Sequence, residues 1–321
     1  MKTATRGILL ALVTALISGI SVYLNKYAVK AVPDPVVFTT LKNSLVGLAL
    51  AGYLLAMWRR RTTGRPATER RATLLAPNAS AGGDSRPYVA LIAVALIGGS
   101  VPFVLFFKGL ATASAPSAAL IHKSLFLWVA LLAVPLLGER PGRWALAGLG
   151  LLAFGQLLNG WPKAWGWGSG ESLILLATLF WAAETIVVKR ILPGVSTGLA
   201  AAARMAGGAI VMWIYLLVAG KADGALALTV AQWGWVALTS VFLLGYVTTW
   251  YAALQLAPAT AVTSVLALGA VITTGVTLAV EGKAPGASGA VGLALMLTGV
   301  AVAAWAAARI GQREHVQPVE A

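Results

Sequence analysis

The chain has no cysteine, only two histidines (His122 and His315), and 10 acidic residues among 321. Without cysteine there is neither a disulfide framework nor a thiolate for metal or redox chemistry. Two isolated histidines leave zinc hydrolysis short of ligands, and no His-Glu-x-x-His or Gly-x-Ser-x-Gly pattern occurs. The Gly-rich Lys-Ser/Thr loop that cradles nucleotide phosphates is absent as well. The expectation is therefore of no enzyme, no metal, no cofactor and no ATP hydrolysis. Charged residues make up only 11%, against roughly 25% in soluble domains, which excludes an ordinary water-soluble globule.

What is plentiful is apolar surface: 59% hydrophobic residues and a mean hydropathy of +0.84. A net charge of +14 could suggest nucleic acid. The basic residues, however, lie mostly at the ends of apolar runs, so no nucleic-acid partner is expected and the charge reads as membrane topology. A bilayer core about 30 Å thick needs about 20 apolar helical residues per crossing. Runs of that kind lie near 7–29, 35–57, 88–109, 115–137, 143–160, 169–189, 197–219, 232–254, 258–280 and 287–308. The first could be mistaken for a signal peptide, but it is long and offers no convincing small-residue cleavage site. In lipid the backbone must satisfy itself, so these segments are helices. Pro102 and Pro135 fall inside them, where kinks are tolerated.

Basic residues set the orientation. With the N-terminus cytoplasmic, Lys2, Arg6, Arg59, Arg60, Arg61, Arg65, Arg70, Arg71, Arg86, Arg140, Arg143, Lys189, Arg190, Arg309 and Arg313 lie inside. Lys26, Lys30, Lys108, Lys163, Lys221 and Lys283 lie outside. This excess inside puts both termini in the cytoplasm of a cell inner membrane. Trp161, Trp165 and Trp167, with Trp58, Trp144, Trp233, Trp235 and Trp305, sit at span ends like an interfacial belt. Residues 59–86 form the one long loop, expected to be cytoplasmic and mobile.

The chain repeats itself. Ala115-Pro116-Ser117 and Gly138-Glu139-Arg140 return as Ala257-Pro258-Ala259 and Glu281-Gly282-Lys283, with Pro116 and Glu139 each 142 residues before Pro258 and Glu281. Lys26 and Lys42 return as Lys189 and Arg204, at offsets of 163 and 162. Five spans per copy is an odd number, so the copies are inverted. The predicted fold is an all-α membrane protein of ten transmembrane helices in two inverted five-helix repeats, residues 1–160 and 161–321. Inverted repeats of this kind hold substrate at the midplane of secondary transporters.

These residues resemble the drug/metabolite transporter superfamily, in its EamA-type members. The carrying pattern is Gly109 to Pro116, then Leu137-Gly138-Glu139-Arg140, then Gly148, Gly150 and Gly155. Its second copy runs from Ala253 to Pro258, then Glu281-Gly282-Lys283, then Gly289, Gly292 and Gly299. The second copy departs where an arginine would follow the acid. The resemblance implies a central cavity surrounded by the first four helices of each repeat, with spans five and ten peripheral, and transport of small metabolites including amino acids. It leaves open a channel or a lipid flippase built from the same helices, export as the direction, and a homodimer. The implied partners are a small-molecule substrate and membrane lipid.

Ionisable side chains inside a membrane are costly and each is a functional candidate. His122 and Lys123 lie about 10 Å into span four and either line the cavity or, as the plainer reading, pack and snorkel. At the same offset the second copy has Ser264 and Val265, so the shared scaffold does not demand the pair. Lys42 and Arg204 are matched, which suits a structural or gating role, with Lys42 also a candidate substrate contact. Lys26 and Lys189 are matched near span ends and fit gating, structure or snorkelling. Glu184, where the first copy has Ser21, either carries a proton or pairs with Arg204 or a lysine. Phe103, Phe106, Trp128, Trp181, Tyr246 and Trp250 are candidate aromatic contacts, and Asn25, Gln156, Asn159 and Gln255 candidate interhelical bonders. Lys26, Lys42, Lys108, His122 and Lys123 share the outer third of the first half, with no acid of that half at their depth. They suggest an electropositive vestibule for a carboxylate or phosphate.

Overall fold

The computed structural model describes residues 3–62, 86–110, 112–113, 115–160 and 167–313. Most of the 59–86 loop, Trp161, Trp165 and His315 lie outside the described residues. Every regular element among the described residues is helical. Span one is Thr3–Ala31 and span two Pro35–Thr62. Span three is two helices, Arg86–Ile97 and Val101–Leu110, and span four is Ala115–Lys123 followed by Leu125–Leu137. Span five is Arg143–Gly160 and span six Ser169–Ile191. Span seven runs from Thr197 to Val218 through a π-helical turn at Ala203–Gly207. Span eight is Val230–Leu256, span nine Ala259–Leu266 then Leu268–Glu281, and span ten Ala287–Arg313. Nine of these are long and apolar enough to cross a membrane, and span five supplies the tenth with 18 residues. Ten crossings in two sets of five make the second set inverted relative to the first.

The spans alternate in direction. One face of the bundle, here the N-terminal face, carries the start of span one, residues 137–143, 191–197 and 256–259; the opposite face carries residues 31–35, 218–230 and 281–287. The repeats interlock: span one packs on spans eight and nine, span four on spans six and nine, and span five on span ten. Glycines permit the closest approach in the last pair. A Cβ on Gly148 or Gly155 would collide with the backbone at Gly299 or Gly292, and the reverse holds. Close helix contact through small residues is how membrane helices gain dispersion energy when lipid competes for apolar surface. Leu131, Ile210, Val241 and Leu48 point outward as exposed apolar side chains, the arrangement of a surface solvated by lipid.

Spans three, four and nine are interrupted, which apolar run length alone did not reveal. In span three the break falls at Gly98-Gly99-Ser100, just before Pro102, whose ring cannot continue the hydrogen-bond ladder. Pro135 behaves differently, because its helix runs on unbroken to Leu137. Spans four and nine break at Ser124 and Ala267, positions without proline. Spans four and nine both end on a left-handed glycine, Gly138 at φ 68° and Gly282 at φ 67°, a conformation costly for residues bearing a Cβ. This refines the repeat. Glu139 follows its left-handed glycine, whereas Glu281 precedes its own. Counted from the helix breaks, His122 and Lys123 correspond to Val265 and Leu266, still without an ionisable group.

Candidate functional site

Three breaks in regular helix gather the polar interior. At the break in span three the Gly98 carbonyl loses its helical partner and accepts a hydrogen bond from Trp181 Nε1 of span six at 3.0 Å. The Gly99 carbonyl accepts from Asn43 Nδ2 of span two at 3.4 Å. A Cβ on Gly99 would strike the Arg204 backbone, and one on Gly98 the Glu184 side chain. The π turn carrying Arg204 is thus seated against the broken span three. Such turns recur at functional sites because they re-aim side chains out of the helical register.

Glu184 and Arg204 form the ionic centre of this region. Arg204 Nη1 lies 3.4 Å from Glu184 Oε2, and Tyr251 of span eight donates to Glu184 Oε1 at 2.5 Å. Both charged groups and Tyr251 are buried. Of the two roles open to Glu184, pairing with Arg204 is the one this geometry displays. The Arg204 Nε remains buried without a partner.

Lys42 occupies the matching place in span two, and its surroundings are different. It is buried, with Asn25 Oδ1 at 3.5 Å and its ammonium 5.2 Å from the Phe38 ring centre. No carboxylate pairs with it among the described residues. Lys123, half-buried on span four, also lacks a hydrogen-bond or ion-pair partner among the described residues. Beside it the His122 ring lies tilted 4.9 Å from Phe106 and edge-on 5.0 Å from Trp181, with Nδ1 buried and unpartnered. Trp181 in turn meets Phe103 at 5.3 Å, and Phe103 packs in the same cluster as Phe38. Phe103, Phe106 and Trp181 thus form an aromatic cluster around His122, while Phe38 lies beneath Lys42.

Other sequence candidates fall elsewhere. Trp128 Nε1 donates to Ser124 Oγ at 2.9 Å and braces the break in span four. Tyr246 and Trp250 stack at 6.1 Å, Trp250 being fully buried. Lys108 sits over the Tyr215 ring at 5.1 Å, and Lys26 binds Glu281 at 2.8 Å. Of the five residues grouped by the sequence, Lys26 therefore meets an acid, supplied by the second copy, while Lys42, His122 and Lys123 meet none among the described residues. Lys189 does not snorkel: it donates to the Leu254 and Ala257 carbonyls at 2.5 and 2.7 Å, at the end of span eight. Asn25 bonds within its own helix and to Lys42, Gln255 is exposed, and Gln156 Oε1 is buried without a partner.

Glu139 was singled out only as a marker of the repeat. Its carboxylate accepts from the Ala259 amide at 2.5 Å, the Thr260 amide at 3.1 Å and the Thr260 hydroxyl at 2.7 Å. It therefore caps the first turn of span nine from the other repeat, supplying the acceptor that the orphan amides need. The sequence signal was an acid beside a helix-ending glycine in both copies.

A model of the EamA-like transporter family matches the chain twice, over residues 5–161 and 168–305. The chain belongs to the EamA-like transporter family. It is accordingly a multi-pass membrane transporter of the drug/metabolite transporter type, built from two EamA repeats. A solved crystal structure described only as that of a protein shares its fold, with a TM-score of 0.73 at 18% identity, covering 95% of this chain and 98% of that one. No curated protein matches. EamA-type breaks and charges thus belong to a transport architecture, in which irregular backbone at membrane depth is tolerated where it faces protein or a water-filled path.

Proposed function

We propose that this EamA-type chain is a secondary active transporter that carries small anionic metabolites, amino-acid-like acids among them, by alternating access. It does so across a cytoplasmic membrane with both termini inside, and acts on its substrate without enzymatic chemistry. Its partners are that substrate and the surrounding lipid; a homodimer and export remain compatible with the reading. The supporting observation is that Lys42 and Lys123 stand at similar depth with no acid beside them among the described residues. A buried ammonium without a counter-charge costs several kcal/mol. An incoming carboxylate or phosphate offsets that cost, and the aromatic cluster around His122 accommodates the body of the ligand. Arg204, already paired with Glu184, serves as a fixed structural cation and is not the group that receives the anion.

The test is counterflow in proteoliposomes with a panel of labelled amino acids and organic acids. The expected result is saturable exchange of acids, weakened in Lys42→Met and Lys123→Met. Flux that does not saturate and shows no trans-stimulation identifies a channel instead. Redistribution of labelled lipid between leaflets, without acid exchange, identifies a flippase.

A further inference from the structure

The helix pair formed by spans five and ten carries a second cluster of cations and aromatic rings, far in the chain from Lys42 and His122. At the N-terminal face, where span five starts and span ten ends, Trp144 and Trp305 meet edge to face with ring centres 6.0 Å apart. Each indole holds an arginine. The Arg143 guanidinium lies over the Trp144 ring at 5.5 Å from its centre, and that of Arg309 over the Trp305 ring at 4.2 Å. Trp144 is 51% exposed and Trp305 42%. In a membrane-spanning bundle this exposure turns both indoles to lipid, at the headgroup level where tryptophan settles.

Both arginines are exposed as well, and no carboxylate pairs with either among the described residues. An indole face attracts a guanidinium and restrains it, but it supplies no oxygen to the N–H donors. Those donors form a fork that matches two oxygens of a phosphate. One turn deeper, Ala147 on span five and Ala301 on span ten are exposed, and their small side chains leave the surface beneath the indoles shallow. Leu297, two turns below Trp305, is exposed and apolar. From the face inward the surface therefore offers cations, then amphipathic rings, then an apolar recess. A phospholipid presents its phosphate, glycerol esters and acyl chains in the same order.

We infer that Arg143, Trp144, Trp305 and Arg309 form a binding site for one anionic phospholipid. The two guanidinium groups hold the phosphate, and the two indoles flank the glycerol region. One arginine–tryptophan pair comes from each repeat, so an occupied site bridges the joint between the repeats on the lipid side. Basic residues at the cytoplasmic ends of membrane helices attract anionic lipid in a diffuse way. This cluster differs in having each cation seated on a ring and both rings in contact. The site is independent of what the protein carries.

Native mass spectrometry of the full chain in detergent, titrated with phosphatidylglycerol or with phosphatidylcholine of the same acyl chains, tests the site. Phosphatidylglycerol should bind the more tightly, and Arg143→Gln with Arg309→Gln should weaken its binding about tenfold. Arg6→Gln with Arg60→Gln removes two charges from the same face and should weaken it by less than about twofold. Trp144→Leu with Trp305→Leu keeps every charge and should still weaken it by about two- to fivefold. Equal losses in the two arginine pairs, or no preference for the anionic lipid, overturn the site and leave only diffuse attraction to a basic face. Inorganic phosphate should not displace the lipid; displacement by it identifies a site for free phosphate and overturns the lipid assignment.

Discussion

Lys42 and Arg204 occupy the same place in two copies of one scaffold and have opposite fates. Arg204 sits on a π turn, faces Glu184 and is flanked by Tyr251. Lys42 sits on an uninterrupted helix and faces an amide oxygen and an aromatic ring. The second copy has spent its buried cation on holding spans six, seven and eight together. The first copy has kept its cation uncompensated, and Lys123, also without a partner among the described residues, and the unpartnered His122 Nδ1 belong to that copy too. One half thus pairs its buried cation with an acid and the other does not, while both retain the same helix count and order.

The sharpest way to break this contrast is to remove the acid. Glu184→Gln leaves Arg204 buried without a counter-charge and should cost about 3–5 kcal/mol, read as a lowered midpoint of thermal unfolding in detergent. The double variant Glu184→Gln with Arg204→Met should recover most of the loss; if it does not, the pair is more than structural. Lys42→Met is expected to act in the other direction on stability, because it removes an uncompensated buried charge of similar length. Its unfolding midpoint should stay level or rise. Its apparent affinity for an acidic substrate should fall roughly 10- to 150-fold, from the loss of about 1.5–3 kcal/mol of charged hydrogen bonding.

Smaller effects separate the two faces. Lys189→Met strips two terminal carbonyls of their donor and should lower stability by about 1–3 kcal/mol. Lys26→Met, at the solvent-exposed equivalent, should shift the same midpoint less. Smallest is the surface pair Lys221–Asp34 at 2.7 Å. Partial burial raises the Asp34 carboxyl, but hydrogen bonds from Lys221 and the Val36 and Val37 amides outweigh this and hold it below its ordinary value. The folded state therefore binds fewer protons than the unfolded one near pH 4. The contribution is complete above the ordinary carboxyl value and fades as acid carries the pH through the lower folded value. With both side chains partly in water it should stay below about 1 kcal/mol. Asp34→Asn should flatten that part of the pH profile of stability between pH 5 and 3 by no more than this.

The span limits, the inverted repeat and the asymmetry at His122 and Lys123 could be read from the sequence because run length, turn residues and matched offsets are local signals. The interruptions at Ser124 and Ala267 could not, since both lie in apolar helix-forming stretches. Pairing of Glu184 with Arg204 was one of the readings open from the sequence, but its second partner was not visible: Tyr251 is 67 residues away, and only packing of span six on span eight brings them together. The reach of Glu139 across to span nine was hidden for the same reason. Its position beside a helix-ending glycine was visible, but the helix end it meets belongs to the other repeat. Spacing from the prolines matches Glu139 with Glu281, but it did not show that they flank the left-handed glycine on opposite sides.

The reciprocal glycine contacts of spans five and ten bear on how the protein is made. The face of span five bearing Gly148 and Gly155 finds its partner in Gly292 and Gly299, residues synthesised only after the whole of spans six to nine. At 5–20 residues per second, about 8–30 s separate completion of the first helix from completion of its mate. During that interval the notched face of span five lies open to lipid or to the insertion machinery, and the first repeat waits in the membrane with one side unfinished. Span ten supplies that missing face only when it enters the membrane, so the bundle gains its closest helix contact long after the first of the two helices is made.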